Sequence, residues 1–275
     1  MIAKVPFAFC RSALFAPTQV GAAEPPVSEF ETPTLNYVNA PLSVVYSGPE
    51  ITPAHHYAWQ VLTAMAAKVS DTYAPVQTRL VDVARAMGRK CVDTNTKRWV
   101  LALVEDLAKT QVEVKSSRQD WKGPLLESVT HARGVITVAF APNLAELLSN
   151  EVVLLDLNAK KGLLVHPLAA WLYDFTATLS EVFRIEEGRL HNATFSALPL
   201  SLFRLRIADA FKRVVAAKGI AGVSVANGVY TITRADRGRK ILLSGERLAN
   251  VQRRASFRTA VQQANISRVG IRGNL

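Results

Sequence analysis

Cysteine is nearly missing: 275 residues hold two, Cys10 and Cys91, far apart and neither with a second cysteine three positions away. This excludes a disulfide-stapled scaffold and a zinc site built on cysteine pairs, and a reduced chain is a simpler expectation than one long-range disulfide. Cys10 stands among apolar neighbours and reads as a core thiol. Long apolar runs are missing too. No stretch reaches the roughly 18 apolar residues that span a bilayer. The opening MIAKVPFAFCRSALFAPTQVGAA is interrupted by Arg11 and Ser12 before it amounts to the apolar stretch of a secretory signal. A cytoplasmic protein without a membrane partner is the expectation.

Catalytic signatures are equally scarce. The sequence holds no GxxxxGK followed by Ser or Thr, no GxGxxG, GxSxG or HExxH, and no Cys/His zinc spacing. The five histidines are His55, His56, His131, His166 and His191. Adjacent His55 and His56 would point about 100° apart on a helix, so they read as cap-proximal or solvated. Adjacent Glu186 and Glu187 read as a solvated face, and His166, just before Pro167, as a helix start. No cofactor, no metal and no enzymatic activity are expected.

Acidic residues are in the minority, 22 against 33 Lys and Arg, for a net charge of +11. Such a balance asks for an anionic partner. The excess is uneven: residues 231–275 carry +8, while the body is only mildly basic. With 49% hydrophobic and 20% charged residues the chain is globular, and its length allows one or two domains.

Along the chain, 17–41 is rich in Pro, Ala, Thr and Glu and reads as extended, followed by a strand LSVVYSG at 42–48. Helices are expected at 51–69 (Thr52 as cap, Pro53 at the first position), at 78–88 (Thr78 as cap, Gly88 as stop) and at 93–110. In the last, Val100, Leu103, Val104 and Leu107 form one apolar row and Asp93 or Thr94 the cap. Strands follow at 111–117, 125–131 and 135–140. Two helices separated by a short break, then a hairpin, have the spacing of a helix-turn-helix with a wing.

The order then repeats. An amphipathic helix is expected at 166–179 through Leu168, Trp171, Leu172, Phe175 and Leu179, a short helix at 183–192, and a long one from Ser201 to the stop at Gly219. A hairpin at 223–233 turns on Asn227-Gly228. The two copies share no sequence identity worth claiming. The fold class is α+β: two tandem winged-helix domains, 42–157 and 158–234, after an N-terminal strand or extended segment, 1–41, and before a basic tail, 235–275.

The long helix SLFRLRIADAFKRVVAAKG carries Leu202, Phe203, Ile207, Ala210, Phe211 and Val214 as its apolar stripe, with Arg204, Leu205, Arg206, Lys212 and Arg213 wholly or partly off it. Ser201, Arg204 and Arg206 lie near its N-terminal end, where such helices reach base edges, and Lys212 and Arg213 are better placed for backbone phosphates. Arg204 is the leading candidate for a base contact. In the first unit Arg89, Lys90, Thr94, Thr96, Lys97 and Arg98 cluster across the turn and the first turn of the helix, where cations, hydroxyls and open amides can hold phosphate. Arg237, Arg239 and Lys240 of the tail complete the DNA-binding set.

Several segments, CRSALFAP (10–17), LSVVYSGPEIT, RLVDVARAMG, WLYDFTATL and LFRLRIADAF, resemble plasmid replication initiators of the TrfA/RepA type over roughly residues 10–235. In that family an RSALF segment opens the shared region and a WL…F helix precedes the second DNA-binding unit. The resemblance implies an initiator that binds double-stranded DNA at repeated origin sites (iterons) of a plasmid and recruits host replication proteins, among them the host initiator and helicase. It also implies a dimer inactive at the origin, with the first winged helix taking part in dimerisation. PLSLF (199–203) is similar to sliding-clamp peptides, although Leu200 and Phe203 are expected in the helix core. The alternative reading is a tandem winged-helix transcriptional regulator or plasmid partition protein; an interaction protein and a nuclease rank below it.

Overall fold

The computed structural model describes residues 1–16, 27–31, 43–69, 74–115, 120–148, 152–179, 181–194 and 196–235. The expected basic tail lies outside them, and so does most of the Pro-rich segment 17–41. In chain order β1 (Ile2–Pro6), α1 (Phe7–Arg11) and a 3-10 turn at Ala13–Phe15 come first, then β2 (Val27–Glu31) and β3 (Ser43–Ser47). A first unit follows: α2 (Pro53–Val69), β4 (Val76–Arg79), α3 (Leu80–Ala86), α4 (Thr94–Lys109), an inserted pair β5 (Gln111–Lys115) and β6 (Asp120–Pro124), and the hairpin β7 (Ser128–Ala132) and β8 (Val135–Ala139). A connector of α5 (Leu144–Leu147), β9 (Val152–Asp156) and α6 (Leu157–Lys161) leads to the second unit: α7 (Pro167–Ala177), β10 (Val182–Glu186), α8 (Glu187–Ala193), α9 (Leu200–Ala216) and the hairpin β11 (Ile220–Ala226) and β12 (Val229–Arg234).

Each unit has a three-stranded antiparallel sheet in which the strand before the short helix pairs with the last strand of the hairpin: β4-β8-β7 and β10-β12-β11. Helix, strand, short helix, long helix and hairpin in this arrangement make two winged-helix units, as expected from the sequence. From Val76 to Lys109 and from Phe183 to Ala216 they run without a gap, 107 residues apart. Val76, Val83, Val100, Leu103, Val104 and Leu107 are buried, and so are their counterparts Phe183, Leu190, Ile207, Ala210, Phe211 and Val214. In this window only Ala86 and Ala193 are identical. The copies share a burial pattern and not residues.

Several local expectations change. Thr78 caps no helix: it is in β4, and Arg79 precedes α3 with no side-chain cap bond. FRIEE is a strand before it is a helix, because Phe183 and Ile185 turn inward while Arg184 and Glu186 turn outward, the period-2 pattern of a half-buried strand. The strand expected at 125–131 forms only from Ser128, and β6 was not foreseen in the Gly- and Pro-containing DWKGP. The Asn227-Gly228 turn forms with φ of 52° and 72°, and Arg133-Gly134 makes the same turn in the first unit with 50° and 78°. Gly219 ends α9 for a different reason than backbone freedom: Lys218 takes the positive φ, and a Cβ on Gly219 would lie 2.7 Å from Val214 and 2.8 Å from Tyr173.

β1 pairs antiparallel with β9 along its whole length, Ile2 opposite Asp156 and Pro6 opposite Val152, so the N-terminus is built into the seam between the units. There α7 is buried from Ala169 through Ala177 rather than along one stripe, because α9 covers one side and α1 and α2 the other. The RSALF residues act here. Arg11 Nε donates to Thr178 Oγ1 (2.8 Å), the Ser12 carbonyl accepts from Trp171 Nε1 (3.1 Å), and the Phe15 ring stacks on His56 at 4.0 Å. Beneath them lies a buried polar network. His56 Nδ1 donates to Asp174 Oδ2 (2.9 Å), Gln60 Nε2 donates to His56 Nε2 (3.0 Å), and Lys160 pairs with Asp174 while donating to Gln60 Oε1 (3.0 Å). Among the described residues no helix is long and apolar enough to cross a membrane.

Candidate nucleic-acid interface

A winged-helix unit presents the outer face of its long helix, together with its hairpin, to DNA. At about 100° per residue, the residues opposite the buried row of α9 are Ser201, Leu205, Asp209 and Lys212, all exposed. Arg204 and Arg206 sit to either side of this face, both exposed. Leu202, expected in the core stripe, is roughly 120° from the buried row by the same geometry and is 50% exposed. Leu205 is 70% exposed. Of PLSLF, Phe203 is buried as expected, but Leu200 is 37% exposed.

The cations of α9 differ in their surroundings. Arg204 Nε lies 2.7 and 2.8 Å from the two carboxylate oxygens of Glu187 at the start of α8. Glu187 is not on a solvated face: it is buried and stands where the first unit has the buried Leu80. A carboxylate in that position needs a cation, and Arg204 supplies it, its own pKa raised by the hydrogen bond and charge of Glu187. Arg213 is also held, Nε donating to Asp209 Oδ2 (2.7 Å) and a terminal nitrogen to His166 Nε2 (2.7 Å), which keeps the Asp209 carboxyl below its ordinary range. Arg206 and Lys212 are exposed with no ion pair among the described residues. His166 marks the start of α7 as expected, in the N-cap position but without a side-chain cap bond.

In the first unit Lys90, Thr94, Lys97 and Arg98 are exposed, and Arg98 occupies the register position of Leu205. The Arg89 guanidinium lies over the Trp99 ring at 4.3 Å. Thr96 is half-buried. Its amide does not stand open for a phosphate, because Asp93 Oδ1 accepts it at 2.7 Å, and these N–H contacts hold the Asp93 carboxyl below its ordinary range. Phosphate contacts at this helix start therefore fall to side-chain cations. The hairpins add exposed His131 and Arg133 in one unit, and Ser224, Val225 and Asn227 in the other. Arg237, Arg239 and Lys240 lie outside the described residues.

Sequence reasoning missed Leu202 as a surface residue, while Leu205, read off the stripe, is exposed as expected; the angle of Leu202 from the row of Phe203, Ile207 and Val214 was the available signal. Both histidines of the pair are buried. His55 is cap-proximal, its Nδ1 accepting the Thr52 amide at 3.0 Å, whereas His56 belongs to the seam and is not solvated. Cys10 is a buried free thiol and Cys91 an exposed one. Among the described residues no group of three His, Cys, Asp or Glu side chains could hold a metal ion.

No protein-family model matches the chain, and no curated protein matches it in sequence. It is similar to solved structures of RctB. A crystal structure of the selenomethionine form of domains 2 and 3 superposes with a TM-score of 0.55 at 10% identity, covering 85% of this chain and 99% of that one. A second, of RctB domains 2–3 spanning 155–483, gives 0.54 at 10% identity, covering 81% and 95%. At that identity the likeness is one of fold.

Proposed function

We propose that this chain is a non-catalytic, sequence-specific double-stranded DNA-binding protein that initiates plasmid replication from repeated origin sites and recruits host replication proteins there. The observation that carries the reading is the pair of winged-helix units in register, each leaving a cation-bearing face of its long helix outward. The net charge of +11 supports an anionic partner. The likeness to RctB, a replication initiator, over 85% of this chain and 99% of that one supports the initiator class. The RSALF-type resemblance points to the same class.

In this reading Arg98, Lys97 and Lys90 of the first unit and Arg206 and Lys212 of the second meet the DNA directly. Arg204 acts through Glu187 by fixing α9 against α8, and Arg213 through Asp209 and His166. Binding needs neither nucleotide nor metal.

The test is a footprint of the purified full chain on the DNA flanking its gene, with a plasmid-maintenance assay of the same segment. An initiator protects several direct repeats phased by whole helical turns, and the segment is maintained only when the chain is supplied. Protection of a single palindrome without maintenance would assign the chain to the transcriptional regulators. Protection that chelation or removal of nucleotide abolishes would overturn the cofactor-free part of the reading, and no protection under any of these conditions would overturn it altogether.

A further inference from the structure

The outward centre of α9 is apolar where that of α4 is cationic. Leu205 lies roughly 180° from the buried row and is 70% exposed, with Leu202 beside it at 50%. Their register counterparts in α4 are Arg98 and Asn95. Two large apolar side chains at the middle of an otherwise polar face are not needed by the core, which Phe203, Ile207, Ala210, Phe211 and Val214 complete. Around them stand Arg206 and Lys212, which have no ion pair among the described residues, with Arg204 held by Glu187 and Asp209 neutralised by Arg213, and the hairpin of the same unit carries Val225, 57% exposed.

What covers this patch must be apolar at its centre and anionic at its rim. A protein partner could also set an apolar centre within a polar rim, but the same face of α4 has the exposed cation Arg98 at the register of Leu205, which points to DNA against both helices. The major groove has such a centre and rim at each thymine: a 5-methyl group on the groove floor, flanked by phosphates. We infer that the second unit reads thymine through Leu205 and Leu202, while the first, with Arg98 and Asn95 at the same register, reads hydrogen-bonding base edges. The two units then recognise different half-sites, one by methyl contact and one by polar contact. This rests on the DNA-binding reading above and assigns the residues that set its specificity.

The experiment selects tight-binding duplexes from a randomised pool with the full chain, then remakes the selected duplex with deoxyuridine in place of thymidine. That removes each 5-methyl group and leaves the hydrogen-bonding groups intact. At one salt concentration, wild type is expected to bind the uracil duplex about three- to five-fold more weakly per contacted thymine. Leu205→Ala is expected to lose a similar factor on the thymine duplex and nothing further on the uracil one. Leu205→Arg, which installs the residue of the first unit, should move the selected base at that position from thymine toward guanine. Equal binding of wild type to both duplexes overturns the inference while leaving DNA binding intact, as does an equal loss for Leu205→Ala on both. Loss of self-association in Leu205→Ala, with DNA affinity unchanged, assigns the patch to a second copy of the chain instead. If no sequence is selected at all, the DNA-binding reading itself fails.

Discussion

Two side chains show how a residue's chemistry is set by what surrounds it. His56 is pushed down to about 4 from an ordinary 6.5, first by burial and then by the Lys160 charge, against the opposite pull of Asp174. It is therefore neutral when folded, with its proton on Nδ1 facing Asp174. Between pH 6.5 and 4 the unfolded chain takes up a proton that the folded chain refuses. Stability present above that window is lost as pH falls through it, by about 3 kcal/mol at the lower end. Urea midpoints at pH 7 and pH 4.5 should show this drop in wild type and a smaller one in His56→Gln; an unchanged drop would remove His56 as its source. For Arg204 the prediction concerns its buried partner. Arg204→Ala should lower the melting midpoint by leaving Glu187 unpaired, and Glu187→Leu, the residue of the first unit at that position, should restore it. If Glu187→Leu fails to rescue, the pair is not what fixes α9.

At the scale of the element, α4 and α9 have the same buried row and different starts. Asp93 closes the first turn of α4 on the Thr96 amide, while Pro199 before α9 offers no side-chain cap. A carboxylate stabilises a helix start, yet beside a DNA backbone its charge repels phosphate. Asp93→Asn keeps the acceptor and removes the charge, so it should leave the melting midpoint nearly unchanged and tighten DNA binding. Asp93→Ala should lower the midpoint while also tightening binding. Calorimetry and titration on the same two variants separate the effects, and weaker DNA binding in both would place this helix start away from the phosphates. The elements legible in the sequence were those with one dominant periodicity, such as α4 and the Asn227-Gly228 hairpin. β4 and β10 were missed because each is a short strand running directly into a helix. Four or five residues carry too little period to announce a change of structure, and only pairing with β8 and β12 makes them strands.

For the molecule as a whole, the seam decides how one unit is carried by the other. Lys160 and Asp174 are both buried there, bridging α6 and α7, with His56 and Gln60 of α2 completing the network. Lys160→Met leaves the Asp174 charge without its cation and should destabilise the chain by about 3–5 kcal/mol. Lys160→Met with Asp174→Leu should recover much of that in urea unfolding, unless the pair is needed for more than charge balance. The tail acts on a different quantity. Removing residues 236–275 deletes nine Arg and Lys against two acids. It should weaken binding to cognate and scrambled DNA alike and flatten the slope of log K against log salt, by about 0.9 for each phosphate that the tail neutralises. An unchanged slope would free the tail from any phosphate role.

By itself the sequence determined the class of the fold and the sign of the net charge. Apolar rows at helical spacing, a proline or an aspartate at helix starts, the Asn227-Gly228 turn and a surplus of cations are local or additive properties, readable without knowing what packs on what. Which cations face outward was decided by the tertiary structure. Arg204, Arg206 and Arg213 are alike in sequence. Yet Glu187, brought up by α8, holds the first, and His166 at the start of α7 joins the local Asp209 in holding the third, while Arg206 has no ion pair among the described residues. The same holds for His56, whose burial follows from the packing of α2 against partners distant in the chain. A side chain's charge belongs to its residue, but its solvation and its partners belong to the fold.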